Sequence, residues 1–412
     1  MITIGKPYIT RNGGLSRLNA EISIDENKNV VWLEVDSKFE PYLCVERGDA
    51  FLCGVLHYAM CYGHDVRSEA PIGEHLYYQL ETDLIFTLVR NSKKLYATKI
   101  IADIDSSEMK NAGGVGTGIS CGVDSLHVLV EQGSTRFPKH KLNYLTFFNV
   151  GSHGEGERAQ KLFCERLALA RKFSAEYGYE LIAENSNLQD VVRQSHFISV
   201  TFSSMFAVFA LQKLWGVYYC GSAGDPYAYF SVKNAEKVCS EDYELWSLTC
   251  FSTPSLRIYQ EGGDRTRLDK LESLVKYPPS YKYLNVCTRG VVNCCRCEKC
   301  ARTLICLDAL DSLEKYREVF DIDYYNAHRK SFHLNFFKYW ALKGDVYFGV
   351  YPRLKKKMPL WLRGLGWFLY FETKLQASLR AHCPEFVKNV YRKFREGMAG
   401  CGLSSPSKSN LG

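Results

Sequence analysis

Along residues 1–105, short apolar and β-branched runs alternate with polar turns. Val30–Val35, Leu84–Val89 and Leu95–Ile101 read as strands, separated by turns such as Asp25-Glu26-Asn27 and Arg90-Asn91-Ser92. Ala50 to Tyr62 is apolar almost throughout and suits a buried helix better than a strand. The pattern predicts a β-rich N-terminal domain over 1–105 with no chemistry-bearing motif.

From about 111 to 310 the pattern changes to strands alternating with helices. Tyr144–Val150, Glu180–Glu184, Val217–Gly221, Ser255–Tyr259 and Tyr283–Cys287 read as strands. Lys161–Tyr177 and Ile198–Leu214 read as helices between them. Such alternation predicts an α/β fold, a mainly parallel sheet covered by helices on both faces. In such sheets ligands bind beyond the carboxyl ends of the strands, so chemistry is expected in the loops that follow them.

Residues 311–400 read as a helical, aromatic-rich C-terminal region, and 401–412, with Ser404-Ser405-Pro406-Ser407, as a disordered tail. The run from Pro359 to Tyr370 is interrupted by Arg363 and is too short to span a bilayer, which takes roughly 20 apolar residues. Its tryptophans beside basic residues suit a membrane surface or the core of a helical domain.

Composition narrows the class. The 412 residues are 46% hydrophobic and 24% charged, which excludes wholesale disorder and is enough for about two or three domains. Met1-Ile2-Thr3-Ile4 leads into Gly5-Lys6-Pro7 with no charged start and no long apolar stretch, which predicts a cytoplasmic protein. The net charge is +7, and residues 351–400 alone carry eleven Lys/Arg against three Asp/Glu. That segment suits tRNA, an anionic membrane surface or an acidic partner, or is the solvated face of a helical domain.

Two segments carry candidate chemistry. The first is Gly116-Thr117-Gly118-Ile119-Ser120-Cys121-Gly122-Val123-Asp124-Ser125, which leads into Leu126-His127-Val128-Leu129-Val130. Glycines let the backbone approach a phosphate closely, Ser120 and Ser125 add hydroxyl donors, and a helix opening near Asp124 turns its positive end toward an anion. The segment has neither the Gly-Lys-Ser/Thr of a Walker A loop nor a Gly-x-Gly-x-x-Gly spacing. A glycine-rich hinge between domains is the bland alternative.

The second segment is Cys287-x6-Cys294-Cys295-Arg296-Cys297-Glu298-Lys299-Cys300, five of the chain's sixteen cysteines. The others include Cys44, Cys53, Cys61, Cys164, Cys220 and Cys250, scattered in apolar surroundings and read as plain buried thiols. Zn2+ takes four soft or borderline ligands in a tetrahedron. Cys294, Cys297 and Cys300 are spaced by threes, as in a turn entering a helix, and Cys287 completes a four-thiolate set. Four thiolates leave no open position, so the zinc would be structural. An iron–sulfur cluster and redox disulfides are the alternatives.

The phosphate-loop segment resembles the Ser-Gly-Gly-x-Asp-Ser motif of the PP-loop ATP pyrophosphatases. Ser120, Gly122, Asp124 and Ser125 match, and Cys121 stands where that family has the first glycine of the pair. The cysteine segment, followed by Ala301-Arg302-Thr303, resembles the zinc motif of the 7-cyano-7-deazaguanine synthase group, with Cys295 at its glycine position. Between them, Tyr219-Cys220-Gly221-Ser222-Ala223-Gly224-Asp225 looks like the family's Gly-x-x-x-Asp loop near the substrate. The three motifs occur in the family's order, and the resemblance covers about 111–310.

By that resemblance the chain binds ATP and Mg2+ and is a ligase. A carboxylate or amide oxygen of a small-molecule substrate attacks the α-phosphate, pyrophosphate leaves, and a nitrogen nucleophile displaces AMP. Ser120, Cys121, Gly122, Asp124, Ser125 and Gly221 would hold the nucleotide. Asp124, Asp225 and Lys270 would serve the chemistry. Arg267 and Lys270 sit roughly where the synthase group has a basic helix start, and are otherwise part of an ordinary surface helix. Asn149-Val150-Gly151-Ser152-His153-Gly154 would meet the adenosine. Sugar amidotransferases of surface-polysaccharide pathways and tRNA thiolases use similar parts with another acceptor. A non-catalytic nucleotide-sensing or protein-binding module is the alternative from a different class.

Overall fold

A computed structural model describes residues 1–154, 156–222, 236 and 238–382. The 401–412 tail, residues 383–400 and Asp225 lie outside the described residues. Met1–Tyr324 form one compact unit, and the chain from Tyr325 on forms a second.

The strands of the first unit run in chain order β1 (Ile2–Ile4), β2 (Tyr8–Asn12), β3 (Leu15–Ile24), β4 (Asn27–Asp36), β5 (Val66–Ser68), β6 (Ile72–Gly73), β7 (Ile100–Ile101) and β8 (Ile104–Asp105). They continue as β9 (Gly114–Gly118), β10 (Tyr144–Asn149), β11 (Glu180–Ser186), β12 (Trp215–Gly221) and β13 (Arg257–Glu261). Eleven of them make a single mixed sheet in the order β13-β12-β9-β10-β11-β4-β3-β1-β5-β7, with β2 paired to β3. The β13-β12-β9-β10-β11 half is parallel throughout. β4 joins it antiparallel to β11, so the first 105 residues contribute strands to the same sheet.

Helices cover both faces. α1 (Asp49–Tyr62) is followed by the short α2 (Glu74–Gln79) and α3 (Phe86–Asn91), then by α4 (Val123–Gln132), α5 (Gly156–Tyr177), α6 (Leu188–Val192) and α7 (His196–Ala210). Adjacent residues of a strand point to opposite faces, and β10 uses this. Phe147 stacks on Phe163 of α5, while Phe148 packs into the other core, which is filled by α1 and α7. The rest of the unit carries α8 (Glu244–Phe251), α9 (Arg267–Leu274), α10 (Pro279–Tyr283) and α11 (Glu298–Ala309), with α12 (Ile322–Ala327) at its end.

Three strand expectations are corrected. Leu84–Val89 is helical: Leu76, Leu80, Leu84 and Leu88 are buried at a four-residue spacing, with Glu81, Thr82 and Asp83 exposed between them. A short run that is apolar but for Thr87 hid that period, as short runs of this kind do. Of Leu95–Ile101 only Ile100–Ile101 is strand. Tyr283–Cys287 is the end of α10 followed by a loop. Pro278-Pro279 starts a helix there, since proline fits the first turn.

The second unit contains α13 (Arg329–Leu342), α14 (Val350–Leu354) and α15 (Leu360–His382). Its core is aromatic. Trp367 of α15 lies against Phe337 and Trp340 of α13, and its indole N–H donates to the Tyr351 hydroxyl at 3.1 Å.

Candidate functional site

β9 sits between β10 and β12, and the chain builds the sheet outward from it in both directions. That makes the carboxyl end of β9 a topological switch point, where an open parallel sheet leaves a crevice. The segment leaving β9 is the glycine-rich one. The Ile119 N–H donates to the Thr146 carbonyl of β10 at 2.8 Å. Cys121 then takes a left-handed conformation (φ 55), and Gly122 caps α4 without a side-chain cap. The first turn of α4 thus opens on a cavity of about 960 Å³ whose walls include Ser120, Gly122, Asp124 and Ser125.

The loop is internally ordered. The Ser120 and Ser125 hydroxyls are 3.2 Å apart, the Ser120 N–H reaches the Ser125 hydroxyl at 3.3 Å, and the Gly122 N–H donates to the Ser120 hydroxyl at 3.3 Å. Cys121 is buried, and it is Ser120 and Gly122 on either side that reach the cavity wall. Its side chain therefore does not narrow the cavity. Gly221, at the end of β12, lies against the start of α4. A Cβ there would stand 3.2 Å from the Asp124 carbonyl and from Val128, so a side chain at this position would press on the start of α4.

The Asp124 carboxylate is held on both oxygens. Lys270 Nζ donates to Oδ1 at 2.9 Å and Arg267 Nη1 to Oδ2 at 3.0 Å. Burial by itself would raise this carboxyl; the charges of Arg267 and Lys270, the Lys270 hydrogen bond and Arg302 outweigh it and hold it well below the usual carboxylate range. Lys270 is buried and also donates to the Ser222 carbonyl. The surface-helix reading of Arg267–Leu274 therefore falls. Thr266 starts α9 with a capping box to Asp269, which aims its first turn at Asp124.

Other charged groups share the cavity, and of these only Lys299 and Arg302 belong to a segment already singled out, the cysteine one. Glu241 and Glu244 precede and open α8, Lys299 is on α11, and Arg166 is on α5. Arg302 of α11 joins them. Burial, then the nearby Asp124 and Asp242 charges, raises the Glu241 carboxyl. Glu244 accepts from Gln260 Nε2 at 2.7 Å, and burial pushes it up to about 7, against that hydrogen bond and with Glu241 adding to the rise. Burial and the neighbouring arginines Arg302 and Arg267 lower the Lys299 ammonium. Beyond these groups the cavity continues between the sheet and α7, past Phe148, Tyr218, Ser204 and Met205. Thr201, also on its wall, has a buried hydroxyl without a hydrogen-bond partner among the described residues.

The sulfurs of Cys287, Cys294, Cys297 and Cys300 all lie within 4.8 Å of one another, a compact cluster that can hold a metal ion. Sulfurs bound tetrahedrally at the usual Zn–S distance are about 3.8 Å apart, so the set is compatible with zinc after slight contraction. Backbone amides already point at three of the sulfurs: Arg289 at Cys287 (3.4 Å), Cys297 at Cys294 (3.2 Å) and Cys300 at Cys297 (3.5 Å). Burial raises the Cys294 thiol, but the amides of Arg296 and Cys297 and the adjacent thiols bring it down to about 7. Cys295 is outside the cluster. Its sulfur meets the Asp321 N–H at 3.2 Å, and its φ is 55, so the residue at the resembled family's glycine position has a left-handed backbone, as Cys121 does.

This cluster is wired to the glycine-rich segment after β9. The Asn285 N–H donates to the Cys121 carbonyl at 2.8 Å, and Arg166 donates to the Cys287 carbonyl at 3.0 Å. Cys297 caps α11, its sulfur accepting from the Cys300 N–H, and that helix carries Lys299 and Arg302 to the cavity.

Of the expected nucleotide contacts, Ser120, Gly122, Asp124, Ser125 and Gly221 share one cavity wall, with Lys270 bonded to Asp124 behind it. Val150 to Gly154 line the same cavity, whereas Asn149 is turned to Asn185 (2.8 Å) and Gln160 (3.4 Å). Compared with protein-family models, curated proteins and solved structures, the chain shows no significant match.

Proposed function

We propose that the chain is an ATP-dependent ligase that cleaves ATP between the α and β phosphates. The observation that carries this reading is the amide-rich first turn of α4, uncapped by any side chain, opening on a cavity that also holds Arg166, Arg267, Lys299 and Arg302. A helix N-terminus and fixed cations in a partly dry cleft match the charge of a triphosphate and of departing pyrophosphate. The volume suits a nucleotide together with a small acceptor.

In this reading a substrate carboxylate or amide oxygen attacks the α-phosphorus. The bond from that phosphorus to the bridging oxygen breaks, and pyrophosphate leaves toward the cations. A nitrogen nucleophile then attacks the activated carbon and AMP leaves with the carbon's former oxygen. Glu244, whose carboxyl titrates near neutrality, takes the nucleophile's proton. Asp124 is a positioning residue, since both of its oxygens are occupied by Arg267 and Lys270. Mg2+ would accompany the nucleotide, bound mainly by phosphate oxygens and water. Zn2+ on the four cysteines would fix the start of α11 and with it Lys299 and Arg302. The lobe beside α7, with a Thr201 hydroxyl unpartnered among the described residues, suits the acceptor.

The test is product analysis with ATP labelled separately at the α and γ phosphates, using the purified chain and a small-molecule cell extract. AMP and pyrophosphate are expected. ADP with phosphate, or no turnover in any extract, overturns the reading.

A further inference from the structure

The second unit exposes an apolar stripe that its own core does not use. On α15, Leu362 and Leu369 face inward and are buried, whereas Leu360, Trp361, Leu365, Phe368, Phe371 and Leu375 are 42% to 77% exposed. At 3.6 residues per turn these six positions fall within about 140° of arc, a continuous band along one side of the helix. Monomeric proteins seldom leave such a band to water without a use. The single acidic residue of the helix, Glu372, is half-buried and accepts from Gln376 at 2.7 Å.

The surroundings of the band are strongly basic. Over residues 325–382 there are eleven Lys/Arg against two Asp/Glu. Lys355, Lys356 and Lys357 form the turn just before α15, Arg363 and Lys374 lie along its flank, and Lys330 Nζ stands 5.6 Å from the Trp361 ring centroid. An apolar band flanked by cations, with tryptophan at its edge, matches the boundary between lipid headgroups and acyl chains. Nucleic acid would use the cations and stack on the rings, but it has no place for Leu360, Leu365 and Leu375. Among the described residues no helix is long and apolar enough to cross a membrane.

We infer that α15 lies flat on an anionic membrane surface, inserting Trp361, Leu365, Phe368, Phe371 and Leu375 among the acyl chains while the flanking lysines and arginines meet lipid phosphates. The inference is independent of what the first unit does.

The test is co-sedimentation of the full chain with phosphatidylglycerol vesicles and, in parallel, phosphatidylcholine vesicles. Binding to the anionic vesicles should exceed binding to the neutral ones by about tenfold and weaken as salt is added. The variant pair Phe368→Asp and Leu375→Asp should lose about tenfold in binding with an unchanged thermal melt. Replacing Lys355, Lys356 and Lys357 by Glu should lower binding and flatten its salt dependence. Tryptophan emission should shift to the blue on binding, and less so in Trp361→Phe. Three outcomes overturn the inference: no binding to anionic vesicles, binding that the aspartate pair leaves intact, or a vesicle-free dimer that the aspartate pair dissolves. Binding to tRNA that survives the aspartate pair, without vesicle binding, assigns the cations to nucleic acid instead.

Discussion

Lys270 donates its ammonium proton to Asp124 at 2.9 Å, although the two residues are 146 positions apart in the chain. The pair, with Arg267 on the other oxygen, joins the first turn of α9 to the first turn of α4, so the cavity wall and its cations are one electrostatic unit.

Replacing Asp124 by Asn therefore strands two cations. The expected loss is about 2–4 kcal/mol of stability, since breaking a buried pair leaves uncompensated charge. Denaturant midpoints of wild type and D124N check this at neutral pH. The Asp124 carboxyl titrates lower in the folded chain than in the unfolded one. Its contribution is fully present above the unfolded value and fades only as pH falls through the folded one. Between pH 6 and 8 the gap between wild type and D124N should stay constant.

Glu244 behaves in the opposite sense. Its carboxyl is raised to about 7 in the folded chain, so the folded state keeps a proton that the unfolded state releases. Its stabilising share is present at low pH and is lost as pH rises from the unfolded value toward about 7, by up to about 3 kcal/mol. Glu244→Gln should remove that slope, read as the difference between the two stability–pH curves. Glu184, buried and without a hydrogen-bond partner among the described residues, adds a slope of the same sign that both proteins share. Under the proposed reaction E244Q should also lose about a hundredfold in AMP formation, with little change in KM for ATP.

Metal content follows the geometry of the cysteines. Wild type should carry about one equivalent of zinc, and Cys295→Ser should keep it, because that sulfur bonds the Asp321 amide instead. Cys297→Ser and Cys300→Ser should lose most of it and lower the melting temperature, because three remaining sulfurs no longer close the four-ligand site that anchors the start of α11. Elemental analysis after gel filtration, with melts alongside, decides.

Cys121 and Cys295 occupy left-handed backbone that costs a non-glycine residue about 1–2 kcal/mol. Cys121→Gly relieves this but gives up a buried thiol and frees the unfolded chain. The changes nearly cancel, so stability should stay within about 1 kcal/mol. Cys121→Val keeps the bulk and sharpens the backbone conflict, and its melting point should fall below both.

Under the proposed function, removing a cavity cation that does not hold Asp124 should weaken nucleotide binding and leave the fold intact. Lys299→Ala lines the cavity without holding Asp124, so it should raise the Kd for ATP about tenfold in titration calorimetry. Arg267→Ala should cost both affinity and stability.

Much of the parallel half of the sheet was readable along the chain. β10, β11, β12 and α5 fall close to where the apolar runs put them, because each run has the period of the element it forms. The run from Leu84 to Val89 was misread because so short a stretch, apolar but for Thr87, displays no clear period, and only its packing revealed a helix.

The glycine loop and the cysteine spacing are local features, and local features are visible in order along a chain. Backbone shape at 119–122 and the bite of Cys294, Cys297 and Cys300 follow from neighbours a few bonds away. What gathers around them does not. Glu241, Glu244 and Arg166 arrive from the start of α8 and from α5 as ordinary charged residues in unremarkable surroundings, and Lys299 comes from between two of the cluster's cysteines on α11. Their meaning comes from sharing a partly dry cleft, where burial moves protonation and a charge is felt at full strength. That cleft exists because β9 sits at the turning point of the sheet, and strand order is set by contacts between residues far apart in the chain.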